Sequence, residues 1–261
     1  MNISLKSKRA LVGGSSKGLG YAVAKQLAKS GARVTLVARD EKRLLEIVKE
    51  LNFETGLKHN YLVVDYNDFD NYQIKIKKYL STNKIDILVN NTQGPKPGDV
   101  SSVSIEDYQK SFDLLFKSVV YTTMLVLENM KKNSWGRIIN MTSVSVKEPL
   151  SYLALSNTIR SAVSSWGKSL SNDVGIYNIT VNNILTGFFN TERINEINSL
   201  KAKELSVKIE EIFDAMKNLV PLKRIGEPNE LGYLVTFLAS NNAAYINGSN
   251  IPIDGGVLKS Y

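Results

Sequence analysis

The chain contains no cysteine, a single histidine and only six prolines among its 261 residues. Without thiols it can build neither disulfides nor thiolate metal sites, and it has no cysteine nucleophile. One imidazole, His59, rules out a histidine-based metal centre, and a lone histidine is expected at the surface rather than in a reaction. No stretch approaches the ~18 uninterrupted apolar residues of a membrane span. The basic N-terminal residues run straight into a strand-like Ala10-Leu11-Val12, with no apolar segment of the secretory kind between them. These absences point to a soluble, cytoplasmic protein without a resident metal. Low-complexity tracts, internal repeats and Pro/Gly/Ser-rich linkers are missing too, so residues 1–261 read as one domain.

Charge is abundant and unbalanced: 33 Lys and Arg face 25 Asp and Glu, a net +8. Such a surplus suits nucleic acid, an anionic membrane surface or an anionic small molecule. The lysines are scattered (Lys6, Lys75, Lys78, Lys131, Lys201 and Lys208 among them) and no aromatic-rich basic motif accompanies them. That argues against nucleic acid and for a solvated basic surface, which also concentrates a polyanionic ligand.

Seven short β-branched runs punctuate the chain, at 10–12, 34–37, 61–64, 85–89, 138–141, 179–184 and 250–253. Segments of helical period separate them, such as 18–30 and 41–51. Strict alternation of strand and helix forces parallel pairing with right-handed crossovers, which gives a single-domain, doubly wound α/β sheet of the Rossmann type with helices on both faces. Ligands of such sheets bind beyond the carboxyl ends of the strands. Alternation lapses only at about 188–225, a helical stretch rich in Lys and Glu that follows the sixth strand and reads as a substrate lid.

Directly after the first strand stands Gly13-Gly14-Ser15-Ser16-Lys17-Gly18-Leu19-Gly20, followed by a helix. Glycines permit a tight turn and a close approach of backbone N–H groups to a pyrophosphate, which the helix N-terminus then stabilises. Here the chain resembles the short-chain dehydrogenase/reductase family, whose loop reads T-G-x-x-x-G-x-G, with Gly13 in place of the threonine. The resemblance runs along essentially the whole chain. Asn90-Asn91-Thr92-Gln93-Gly94 stands where the family has N-N-A-G, and Thr186-Gly187-Phe188-Phe189-Asn190-Thr191 where it has P-G-x-x-x-T. Arg224-Ile225-Gly226-Glu227-Pro228 and Asp254-Gly255-Gly256 match signatures of its 3-oxoacyl-carrier-protein reductase branch. The resemblance implies a nicotinamide dinucleotide held by Gly14, Ser16, Lys17, Gly18, Leu19 and Gly20 around the pyrophosphate. It further implies Asp65 and Tyr66 at the adenine, Asn91 beyond the fourth strand, and Gly187, Phe189 and Thr191 at the nicotinamide. It also implies a homodimer or homotetramer associating through long helices at about 104–133 and 156–176.

An acid at the end of the second strand selects NAD, whereas an arginine nearby accepts the 2′-phosphate of NADP. This strand ends Val37-Ala38-Arg39, with Lys17 as a second cation in the loop, so NADP(H) is expected over NAD(H).

The family reduces carbonyls with a serine, a tyrosine that donates the proton, a lysine that lowers the tyrosine pKa, and an asparagine that holds a water. Counting the family spacing from Ser143, the tyrosine position falls on Ser156, the lysine position on Arg160 and the asparagine position on Leu115. A serine hydroxyl has no phenol-like acidity, and an arginine does not give up its proton. Tyr152, four residues before Ser156, is an alternative donor if the helix starts early enough. Two readings follow. One is an atypical NADP(H)-dependent oxidoreductase acting on a carbonyl or alcohol, 3-oxoacyl thioesters included, with Ser143, Ser156, Arg160 and Tyr152 as catalytic candidates. The other is a dinucleotide-binding protein without turnover, serving as a regulator or an inactive subunit.

Overall fold

The computed structural model describes residues 3–260. Its strands are β1 (Arg9–Gly13), β2 (Arg33–Ala38), β3 (Asn60–Val63), β4 (Ile87–Asn90), β5 (Gly136–Ser143), β6 (Ile179–Thr186) and β7 (Asn250–Ile253). They form one sheet in the order β3-β2-β1-β4-β5-β6-β7, and every neighbouring pair is parallel. Parallel strands are covered on both faces, which is why β1, β4, β5 and β6 are buried at consecutive positions rather than alternate ones.

One face carries α1 (Gly18–Lys29), α2 (Glu41–Thr55) and α9 (Pro228–Leu238), packed over Val12, Leu36, Val89 and Ile184. The other carries α3 (Phe69–Thr82), α5 (Ser118–Lys132) and α6 (Ala154–Val174), packed over Leu11, Leu88, Ile138 and Val181. The helix expected at 104–133 is interrupted. It consists of α4 (Ile105–Phe112) and α5, joined by one wide π-type turn at Asp113–Lys117 that contains the buried Leu115. The lid stretch forms α7 (Glu192–Leu205) and α8 (Ile209–Leu219). Among the described residues no helix is long and apolar enough to cross a membrane, and no group of His, Asp and Glu is placed to hold a metal.

His59 is not at the surface as expected; it is buried between α2 and β2. Its Nδ1 accepts from the Val34 N–H at 3.0 Å, which requires a neutral ring with the proton on Nε2, facing Thr55 Oγ1 at 2.9 Å. Burial holds its pKa below the ordinary value, in keeping with that neutral tautomer.

A chain of amides, buried on β4 to β6 and exposed at β7, crosses half of the sheet. Asn90, Asn140, Asn183 and Asn250 are cross-strand partners on β4, β5, β6 and β7. Asn90 Nδ2 donates to Asn140 Oδ1 (2.8 Å), Asn140 Nδ2 to Asn183 Oδ1 (2.9 Å), and Asn183 Nδ2 to Asn250 Oδ1 (2.8 Å). Gly167 of α6 lies directly over this ladder, where a Cβ would come 2.7 Å from Asn183 Oδ1 and 2.9 Å from Asn140 Nδ2.

Candidate active site

A cleft of about 910 Å³ opens beyond the carboxyl ends of β1, β2 and β4 to β6, at the point where the strand order reverses between β1 and β4. This is where doubly wound sheets bind ligands. Its floor is the turn between β1 and α1. Gly14 and Gly18 adopt φ of +54° and +57°, a region open to glycine at no steric cost. Two side chains hold the turn. Buried Ser15 donates to Val12 O at 2.9 Å and accepts from the Val37 N–H at 2.9 Å, tying the loop to β1 and β2. Asn91, at the end of β4, donates through Nδ2 to Gly13 O at 3.0 Å. Below them the Tyr66 hydroxyl fills the space a side chain on Gly13 would need, since an added Cβ would lie 2.7 Å from it. Burial drives the Tyr66 pKa well above its usual value, so this phenol stays protonated.

The structure brings together in the cleft wall Gly14, Ser16, Lys17, Gly18, Leu19 and Gly20 of the loop. Arg39 from the end of β2, Tyr66, Asn91, Thr191 and Arg160 join them there. Asp65, Gly187, Phe189, Ser143, Ser156 and Tyr152 are not part of that wall. Asp65 accepts from the Asn67 backbone at 2.9 Å and stands 3.9 Å from Arg39 Nη1. The Phe189 side chain is buried in the core against Gly226. Gly187 N–H donates to Ile253 O at 3.0 Å, fastening the lid's entry to β7. Tyr152 lies in the turn before α6, half exposed, with the Lys201 ammonium 5.8 Å above its ring.

Five cations line the cleft, and four of them have a carboxylate in reach. Lys17 Nζ meets Glu192 at 2.7 Å and Glu196 at 3.8 Å, bridging the glycine turn to the first turns of the lid. Hydrogen bonding to Glu192 raises its pKa. Arg39 faces Asp65, Arg43 pairs with Glu46 at 3.2 Å, and Arg193 pairs with Glu196 at 3.6 Å. Arg160 is the exception: among the described residues no carboxylate lies within 4.0 Å of it. Its Nε donates to Ser156 Oγ at 3.1 Å and its Nη1 to Met141 O at 2.6 Å. Loss of solvent depresses its pKa to about 10, which still leaves it charged at neutral pH. Ser156 is buried, and its hydroxyl accepts from Arg160 while its own proton is not donated to another side chain or carbonyl.

Three of the other hydroxyls at this end are committed, while Ser145 Oγ is buried without a partner among the described residues. Thr142 donates to Ile184 O and Thr186 to Thr142 O, each at 2.9 Å, and Thr92 to Gln93 O at 3.1 Å. Ser143 Oγ accepts from the Ser145 N–H at 3.1 Å as the cap of the turn after β5. Sequence reasoning missed Arg43, Gln93, Thr142, Thr186, Glu192 and Glu196, all of which line the cleft. The position of Glu192 and Glu196, four apart on α7, was readable only once the lid's docking was known.

A family profile described as Enoyl-(Acyl carrier protein) reductase, of the short-chain alcohol dehydrogenase type, matches residues 14–258. The chain is 30% identical to a 3-oxoacyl-[acyl-carrier-protein] reductase of Chlamydia muridarum, over 98% of this chain and all of that one. It is equally identical, at 30% over 98% of this chain and all of the other, to the NADPH-dependent reductase BacG of Bacillus subtilis. Among solved structures, L-sorbose reductase from Gluconobacter frateurii, complexed with NADPH and L-sorbose, superimposes with a TM-score of 0.93 at 29% identity, each chain covered completely. Fold, glycine turn and extent of the match agree, and the chain belongs to the short-chain dehydrogenase/reductase family.

Proposed function

We propose that this protein is a cytoplasmic NADP(H)-dependent oxidoreductase that interconverts a carbonyl and an alcohol, and that it works as a homodimer or homotetramer. The observation that carries the reading is the cleft at the reversal of strand order, floored by a glycine turn and flanked at the end of β2 by Arg39 and Arg43 with no acid on the strand itself. Of the nearby acids, Asp40 is occupied as the cap of α2, accepting from the Arg43 N–H at 3.0 Å, and Asp65 stands 3.9 Å from Arg39 Nη1. A 2′-phosphate therefore meets guanidinium groups there. The residues fit the dinucleotide: a Cβ on Gly14 would sit 2.8 Å from Asn91 Nδ2, so only glycine fits the turn that leads into the α1 N-terminus, where backbone N–H groups take a pyrophosphate. NADPH held in this cleft supplies a hydride.

The chain's own residues then bind and orient. Gly14 to Gly20 cradle the phosphates, Arg39 and Arg43 take the 2′-phosphate, and Thr191 closes from the lid side. A water beside Arg160 delivers the proton, and the Arg160 charge, held in place by Ser156 Oγ and Met141 O, steadies the oxygen that receives it. The relatives named as reductases support the oxidoreductase reading. A reading without turnover draws on a different observation, that among the described residues no tyrosine lines the β5 end of the cleft.

Fluorescence titration tests the cofactor assignment. NADPH is expected to bind tighter than NADH, and Arg39→Ala to weaken NADPH by ~10–100-fold, the 1.5–3 kcal/mol of a hydrogen bond to a charged group, with little effect on NADH. Equal affinities for the two dinucleotides overturn it.

A further inference from the structure

The helical insertion of α7 and α8 is held to the glycine turn by charge more than by packing. A Cβ added to Gly18 would lie 3.6 Å from Thr191 Cγ2, so α7 begins directly on the turn. From its first two turns Glu192 and Glu196 reach back to Lys17, whose Nζ stands 2.7 Å from one carboxylate and 3.8 Å from the other. All three side chains line the cleft. Little else fastens this part of the chain. Of the 14 residues of α7 only Asn198 and Ala202 are buried, and α8 buries none. Asn198 Nδ2 finds no hydrogen-bond partner among the described residues, so even that contact is incomplete. Exposed ion pairs are individually weak. On so slight an apolar seat, two carboxylates sharing one ammonium decide where α7 stands.

Lys17 shares its stretch of the cleft wall with Arg39 and Arg43, beside which the 2′-phosphate of a bound NADPH falls. An ammonium held by carboxylates has to exchange them for that phosphate. A phosphate monoester carries nearly two negative charges against one on each carboxylate, so at equal distance it draws the ammonium more strongly. The exchange gives up the pair that fastens α7 to the turn. NADH has no 2′-phosphate and leaves that pair in place. We propose that Glu192 and Glu196 are determinants of cofactor selectivity, competing with the 2′-phosphate of NADPH for Lys17 and so holding down the preference for NADPH over NADH, a reading that rests on NADPH occupying the cleft. Coupling of this kind is reciprocal. NADPH loosens α7 by the same factor by which the carboxylates weaken NADPH.

Fluorescence titration at low ionic strength, where salt does little to screen exposed pairs, reads the competition. The double substitution Glu192→Gln with Glu196→Gln is expected to tighten NADPH ~5-fold, the upper end for an exposed pair, and NADH by less than ~2-fold. In a Lys17→Met background the same two substitutions are expected to lose most of that effect, because the carboxylates act through the ammonium. NADH affinity serves as the check that each altered protein is folded. An equal gain for both dinucleotides shows plain repulsion of the pyrophosphate and overturns the proposal. So does an absent gain for NADPH, or an undiminished one with Lys17→Met in place. Should the Lys17→Met protein fail to fold, the NADPH-to-NADH ratio of the double variant decides alone. An unaltered protein that binds neither dinucleotide would instead sink the cofactor assignment, and this proposal with it.

Discussion

At the scale of single residues, what the site does turns on which partner each charged side chain finds, and sequence order records that only in part. Arg39 and Asp40 are adjacent in the chain and opposite in use. Both line the cleft, but the aspartate's carboxylate is taken up in capping α2 while the arginine's guanidinium stands near Asp65, a division set by where the helix begins. Lys17 is legible as a cation of the glycine turn, yet its bond to Glu192 belongs to a contact 175 residues away and leaves no local trace. Arg43 was invisible as a cleft residue because its direction depends on how α2 docks. The substitutions at 156 and 160, by contrast, were readable by counting, and the structure adds that the two side chains touch. Restoring the family's pair by Ser156→Tyr with Arg160→Lys places a phenol and a tunable ammonium four residues apart. The double variant is expected to gain ~10²–10⁴ in kcat/KM on neutral ketones, the usual worth of a positioned acid. NADPH oxidation with cyclohexanone measures it, and an unchanged rate with cofactor binding intact would count against the role assigned to these positions.

At the scale of elements, the seven strands were legible because each is a β-branched run too short for a helix, and the helical insertion of α7 and α8 because it breaks the alternation of strand and helix. The wide turn at Asp113–Lys117 was not. A π-type turn inserts a residue into a helix without disturbing the apolar spacing on either side, so periodicity passes over it. The same limit hid the asparagine ladder: one polar residue in an apolar strand shows no partner until the strands are in register. Gly167 tests how firmly α6 is seated on that ladder. Alanine at a helical position ordinarily gains ~1 kcal/mol over glycine. Here the added methyl meets two amides that are hydrogen-bonded on both sides and cannot yield, so the steric loss should win. Gly167→Ala is expected to lower stability by ~1–3 kcal/mol, as over-packed cores do. Urea unfolding reads it directly, and a raised midpoint would show that the ladder gives way.

At the scale of the whole molecule, a net +8 coexists with a cleft whose cations are mostly matched by its own carboxylates. The surplus is therefore spread over the surface, where it draws anions in without fixing them. Large apolar side chains remain bare along α4 and α5 and in the turn before β7: Ile105 is 78% exposed, Met124 58% and Tyr245 fully so. A single copy leaves these in water, and a homo-oligomer would bury them. Static light scattering at micromolar concentration should give a mass of two or four chains; a monomeric mass rules out the assembly. The ladder has a consequence on this scale as well. Parallel strands have no hairpin turns to set their alignment. Slide β5 or β6 by a residue and its asparagine turns to the other face, leaving amides on both neighbours without that partner; slide β4 or β7 and the one neighbouring amide loses it. Slide any of them by two and the face is recovered, but the amide now sits ~7 Å out of reach. Half of the sheet thus admits one alignment only, keyed from residue 90 to residue 250, and the last strand cannot be laid down wrongly without undoing the first.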